Sequence, residues 1–372
     1  MRLKPDGGEY FRDRNAARYP SYPLEPAIIA GFKMSPDLCG DGQVDIVACG
    51  SSMGNLLRFV TGQEKPFRTL VELVGETVFF IRRENSPTEL IPNVRGFGHT
   101  FPEAYTTWDA DVKGSDCHER ILRYNFGGLR FIVRSGADGY IWEPASREEK
   151  QPIPGDKEAA KSISTSLPEL IASVGDSSIS AGHPANATAG LVVQSGGSLV
   201  DQSRLFDLKT RSLWKKDEED TITEELPRLW ARQIPNFILA HHDKGLFNEI
   251  KQHDVGEKVK EWERSHQSDL SMLAALLHCI VGVLRKGPHS KIELCYDGKG
   301  HLEVREALSD TADALSPAVR TLWLKGGFND TVRTWDVAGN DDILEWEDED
   351  ADDFTACSAS CDYCGLCGSA RV

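Results

Sequence analysis

The chain lacks any uninterrupted apolar run near the roughly 20 residues that a bilayer-spanning helix needs. Its start, Met1-Arg-Leu-Lys-Pro-Asp, passes directly into charged and turn-forming residues, without the apolar stretch of a secretory signal. The expectation is an intracellular protein, cytoplasmic or nuclear, with no membrane partner and no disulfide stapling. Internal repeats are also missing, which argues against a solenoid or a propeller. Positive charge is in short supply: 42 Lys and Arg stand against 58 Asp and Glu, a net charge of −16. Apolar content of 40% in 372 residues is ample for a large core, as one elaborated domain or two.

The acidic balance is unevenly spread. Between Asp341 and Asp353, nine of thirteen residues are Asp or Glu, so one short segment supplies more than half of the net charge. Meanwhile Arg120, Arg123, Arg130, Arg134, Lys209, Arg211, Lys215, Lys216, Arg228 and Arg232 cluster in the middle of the sequence. Binding responds to local potential, so a basic groove for nucleic acid is compatible with an acidic whole.

Five of the nine cysteines are scattered and read as small buried side chains. The other four, Cys357-x3-Cys361-x2-Cys364-x2-Cys367, occupy one short glycine-containing stretch. Four thiolates in reach of one another suit Zn²⁺, and the same set can hold an iron-sulfur cluster. With the acidic run before it, this tail also suits docking to a protein partner.

Residues 1–35, rich in Arg, Tyr and Pro, read as a docking arm. Residues 36–335 read as the core, with a mobile insertion at about 144–188 where Pro, Ser, Gly and Ala dominate, and 336–372 as the acidic and Cys-rich tail. Within the core, 44–49 reads as a strand, 51–60 as a helix, and 67–74 with 77–83 as a hairpin around Gly75-Glu76. Apolar periodicity from Val255 to Arg285 predicts one long amphipathic helix, and 291–295 with 301–304 a further hairpin.

The middle of the chain carries the chemistry. Ile121 to Phe126 and Leu129 to Ala137 read as strands joined at Gly127-Gly128 and ending in Asp138. Leu205-Phe-Asp207-Leu-Lys209-Thr210-Arg211 reads as a strand whose acid and lysine, two residues apart, project from one face. A helix containing Trp230-Ala-Arg232-Gln233 follows, then a strand running from Phe237 towards Gly245.

This order resembles the PD-(D/E)XK nuclease-like superfamily, and over roughly residues 95 to 250 it is most similar to the eukaryotic decapping exonucleases. The resemblance implies an α/β (α+β) fold with a mixed central sheet flanked by helices. It implies a metal-dependent nuclease or end-processing phosphohydrolase acting on single-stranded RNA or DNA. Asp138 and Asp207 would hold Mg²⁺ or Mn²⁺, which lowers the pKa of bound water and stabilises transition-state charge. Lys209 and Gln233 would position the nucleophile, and Glu103 would supply a further carboxylate. Arg134, Arg211, Arg232 and His99 would contact substrate.

Three departures stand beside this. Position 136 is glycine where the family has a second Glu before its Asp. The carboxylate expected four residues after Gly98 meets Pro102 and arrives one position late, at Glu103. Asp207 replaces the commoner Glu. Together they open a reading from another class, a catalytically degenerate nucleic-acid-binding or scaffold protein with a metal-bound tail. If Glu103 fails to reach Asp138 and Asp207, that reading gains.

The segments around Phe11 to Pro20, Arg95 to His99, Phe126 to Leu129 and the Cys-rich tail are also similar to a fungal family commonly labelled geranylgeranyl pyrophosphate synthetase. That label implies a prenyl diphosphate synthase with two Asp-Asp-x-x-Asp helices. Asp341-Asp342-Ile-Leu-Glu345 is the nearest approach, and the strand-rich middle argues against an all-helical prenyltransferase.

Overall fold

The computed structural model describes residues 2–36, 38, 44–142, 191, 193–194, 196–216, 220–308 and 311–326. The expected insertion at 144–188, the acidic run and the four tail cysteines lie outside the described residues.

Along the chain come α1 (Arg14–Arg18), α2 (Glu25–Met34), β1 (Ile46–Cys49), α3 (Gly50–Val60), β2 (Phe67–Val74), β3 (Thr77–Arg83) and α4 (Thr100–Tyr105). Next are β4 (His118–Phe126), β5 (Leu129–Ala137), β6 (Gly139–Tyr140), β7 (Leu205–Ser212), α5 (Thr221–Arg232), β8 (Asn236–Asp243) and β9 (Leu246–Asp254). Then follow α6 (Gly256–Ser265), α7 (Gln267–Lys286), β10 (Lys291–Tyr296), β11 (Glu303–Glu306) and α8 (Pro317–Leu324). The protein is a mixed α/β fold, as the sequence predicts, which excludes an all-helical prenyltransferase.

Two compact units emerge. The first is formed by Met1–Gly7, Arg95–Arg120 and Gly136–Ser265, the second by Gly8–Val94, Ile121–Ser135 and the described residues from His266 onward. The expected arm thus contributes to both.

In the second unit the strands run in the order β11-β10-β2-β3-β1-β5-β4. β1 is parallel to both β3 and β5, and every residue of it is buried, as suits an interior parallel strand. The β2–β3 hairpin turns at Gly75, whose φ of 63° is the left-handed conformation that glycine tolerates. Its core gathers Phe32, Phe79, Ile132 and Trp323, with Trp323 set edge-on to both Phe32 and Phe79.

The first unit holds the sheet β6-β7-β8-β9. β7 and β8 are parallel, so the chain must cross over between them, and α5 makes the crossing. One face of this sheet packs Leu205, Leu229, Phe237 and Val255 together, the other Phe206, Leu208, Phe97 and Phe247. The alternation of β7 thereby sends Leu205, Asp207 and Lys209 towards α5.

One expectation needs correction. The periodic stretch from Val255 to Arg285 forms two helices, broken at Ser265-His266, and the break separates the two units. The Ser265 hydroxyl donates to the Trp262 carbonyl at 2.9 Å, competing with the backbone bond that would continue the helix. Trp262 then packs on Trp230, ring centroids 5.7 Å apart, within the first unit. α7 is long and apolar enough to cross a membrane by length and composition, and it buries Leu270, Leu273, Leu277, Ile280, Val281 and Leu284 within the second unit.

Candidate functional site

The candidate site lies within the first unit, where β7, the end of β5 and α5 meet. Asp207 is completely buried. Asp138 follows β5, and its backbone N–H donates to the Phe206 carbonyl at 3.3 Å, which fixes it alongside β7. Both carboxyls converge on one amide: the Leu208 N–H donates to Asp138 Oδ2 at 2.7 Å and to Asp207 Oδ1 at 3.2 Å.

Two carboxyls in that position cannot both carry charge cheaply. Asp138 as a residue remains open to solvent, but its carboxyl lies in crowded space against Asp207. Desolvation first, then the hydrogen bond and charge of Asp207, push its pKa up to about 8. Burial acts on Asp207 in the same direction. The hydrogen bond from Asp138 and the charges of Arg228 and Arg232 outweigh it, and hold Asp207 below the ordinary carboxylate range. The two acids are thus pushed in opposite directions, Asp138 up and Asp207 down.

The cations come from α5. Asp220 caps that helix by accepting the Thr223 N–H, and Glu225, Arg228 and Arg232 fall on one face at spacings of three and four. Arg228 Nη2 lies 3.0 Å and Arg232 Nη1 3.4 Å from the same oxygen, Asp207 Oδ2. Glu225 is shared by Lys209 at 2.6 Å and Arg228 Nε at 2.7 Å. Arg228 Nε and Nη2 are both buried against these carboxylates.

The structure thus brings together Asp138, Asp207, Lys209 and Arg232. Other expected residues lie elsewhere. Gln233 is not part of the helix but its left-handed C-cap, φ 54°, and its side-chain amide turns back to donate to the Trp230 carbonyl at 2.6 Å. Glu103 is exposed on α4, where its backbone N–H donates to the His99 carbonyl at 3.4 Å and its side chain forms no hydrogen bond or ion pair among the described residues. The backbone N–H groups of His99 and Thr100 donate to Asp6, which secures the start of α4. Arg134 belongs to the second unit, where it is buried and donates to the Pro23 carbonyl at 3.0 Å. Arg211 is 3.9 Å from Glu224. Glu225 and Arg228 were not expected in the centre. Their signal is the Glu-x-x-Arg-x-x-x-Arg spacing directly after an Asp-x-Lys strand.

Hard divalent cations take six or more oxygen ligands. Among the described residues no group of three His, Cys, Asp or Glu is placed to hold a metal. Asp207 Oδ2 already faces two guanidinium groups, and both oxygens of Glu225 are engaged. As arranged, this donor set does not fit Mg²⁺ or Mn²⁺. His241 and His242 do not form a joint site either. A register shift separates them, and His242 sits edge-on to Phe97 at 4.5 Å.

Fold and site define a mixed α/β protein built around an Asp-x-Lys strand whose acid is paired with a second carboxyl and two arginines. The model of the family described as Domain of unknown function (DUF8563) matches residues 1–299, and the chain belongs to that family. A search of curated proteins returned no match. Among solved structures, the chain is similar to Candida albicans Rai1 in complex with pU5-Mn²⁺ (TM-score 0.49, 9% identity, 84% of this chain and 85% of that one). It is similar to Scheffersomyces stipitis Rai1 (TM-score 0.48, 11% identity, 85% and 89%). A third is K. lactis Dxo1 in complex with manganese (TM-score 0.45, 7% identity, 81% and 76%).

Proposed function

We propose that this protein binds single-stranded nucleic acid through phosphate contacts on the β7–α5 face of its first unit. The acid pair would serve to hold the arginines in place rather than to cage a metal. The observation that carries this reading is Asp207 itself, a sealed carboxylate facing Arg228 and Arg232, with the nearby Glu225 tied up by Lys209 and Arg228. Buried charges need partners, and here the partners are cations with planar donor forks suited to phosphate oxygens. Arg211, Lys215 and Lys216 continue the positive series from the end of β7.

The test is fluorescence anisotropy with a 5′-phosphorylated single-stranded oligonucleotide across a salt series. Affinity should fall linearly with the logarithm of salt concentration, and each lost phosphate contact should reduce that slope by about 0.7. Arg232→Ala should show this reduction. Salt-independent binding, or none, would sink the reading.

A second reading is favoured by one feature: Asp138, Asp207 and Lys209 share a face of the sheet. In a metal-dependent phosphohydrolase, the bound cation would stabilise charge on phosphate and activate water. Cleavage of 5′-triphosphate, capped and monophosphate RNA and DNA with Mn²⁺, lost in both Asp207→Ala and Lys209→Ala, would establish it over the binding role.

A further inference from the structure

The strand that follows Asp138 runs into a cleft of about 400 Å³, lined by Asp109, Asp111, Tyr140, Trp142, Ser198 and Arg204. All of it belongs to the first unit. β6 pairs with β7 through Gly139 with Phe206 and Tyr140 with Leu205, and the Ile141 N–H extends the pairing to the Arg204 carbonyl at 2.9 Å. Ile141 packs with Phe206 and Leu208, while Tyr140 packs with Leu205 and Leu229. Asp138 and Tyr140 therefore share the sheet face that carries Asp207, and Trp142 takes the next place in the alternation. Places on one face of a strand are about 6.7 Å apart, roughly twice the 3.4 Å rise per nucleotide of a stacked strand.

The cleft has a definite chemistry. Trp142 is 69% exposed, an unusual position for so large an apolar ring. Tyr140 donates its hydroxyl to Asp109 Oδ1 at 2.7 Å, the Ser198 hydroxyl lies 3.4 Å from Asp109 Oδ2, and the Gly197 N–H donates to Asp111 Oδ2 at 2.7 Å. Each carboxylate has about four lone-pair sites, so both retain acceptor capacity. Arg204 is committed elsewhere. Its Nε and Nη2 donate to the Ile141 carbonyl at 2.9 and 2.7 Å, and its guanidinium carbon lies 5.5 Å from the Tyr140 ring centroid. Two acceptor-only groups beside an exposed aromatic face repel phosphate and suit a flat ring that brings hydrogen-bond donors.

We propose that this cleft is a nucleobase subsite, with the base stacked on Trp142 and its amino edge turned to Asp109 and Asp111. The inference rests on the nucleic-acid-binding reading and gives it a base preference. Guanine presents a ring N–H and an amino group side by side, adenine and cytosine present an amino group, and uracil presents a single ring N–H flanked by two carbonyl oxygens that the carboxylates repel. Guanine is therefore the preferred occupant and uracil the weakest.

The experiment titrates the full chain with GMP, AMP, CMP, UMP and ribose 5-phosphate by calorimetry. In parallel, a 5′-phosphorylated oligomer of abasic sites reports phosphate binding alone. GMP should bind most tightly, UMP weakly, and ribose 5-phosphate weakest of all. Trp142→Ala should cost GMP about tenfold in affinity, as loss of one stacking platform does. Asp109→Asn, which keeps an acceptor for Tyr140, should erase the preference for GMP over UMP. Neither variant should alter binding of the abasic oligomer. Variants that unfold at the wild-type temperature and bind GMP as wild type would overturn the subsite, while intact abasic binding would leave the parent reading standing. Loss of abasic binding in the wild-type protein would overturn the parent reading instead.

Discussion

Glu72 in the second unit and Asp207 in the first are both sealed from water, 2% and 0% exposed, and both face arginine. Glu72 accepts from Arg320 at 2.6 Å and from the Ala314 N–H at 2.6 Å, with Lys291 at 3.9 Å. Asp45 in the same unit follows the pattern, held by the Arg130 backbone and by Arg285. These are single acids with a full complement of donors, the arrangement that a buried charge requires of any stable fold. Asp207 differs because a second carboxyl is pressed against it. That costs free energy which a solely structural ion pair does not demand. Under the proposed binding role, that cost sets the Asp207 cluster apart from the charges that only hold the fold.

Removing the central acid tests the contrast most severely. Asp207→Ala leaves two guanidinium groups beside a vacated carboxylate position and should cost about 3 to 5 kcal/mol in urea denaturation. Glu72→Gln keeps an acceptor for the Ala314 amide while discarding the charge. A loss of about 1.5 to 3 kcal/mol is expected. If the two losses came out equal, the distinction between the sites would lose its footing.

The raised pKa of Asp138 gives a pH signature. Asp138 has a raised pKa in the folded protein, so the native state holds a proton that the unfolded chain releases above about pH 4. Its contribution to stability is therefore fully present below that pH and lost as pH rises through about 8. Asp207, with a lowered pKa, contributes the opposite slope at the acid end. Asp138→Asn should flatten the stability curve between about pH 4 and 8. A parallel curve for wild type and variant would show that the pKa of Asp138 is not raised. The smallest effect is assigned to Glu103→Gln, within about 0.5 kcal/mol in stability and unchanged in oligonucleotide affinity. A clear loss of binding there would bring Glu103 back into the site.

Much of this was legible from residue order. The β2–β3 hairpin announces itself by alternation around Gly75-Glu76, and β7 by the run from Leu205 to Arg211, because strand periodicity is local. The helix from Val255 to Arg285 misled for the same reason. Its apolar spacing continues through Ser265-His266, and only the destinations of Trp262 and Leu270 reveal two helices. Gln233 misled because the backbone reverses at the very residue whose side chain was expected to act.

Sequence by itself determined the strands, the crossover helix and the identity of the acids, since these follow from short-range pattern and from side-chain chemistry. Tertiary structure decided which acids meet. Only packing of α5 over β7 places Arg228 and Arg232 on Asp207, and only the pairing of β6 with β7 sets Asp138 against Asp207. Charge state depends on distance and solvent exposure, and neither quantity exists until the chain has folded.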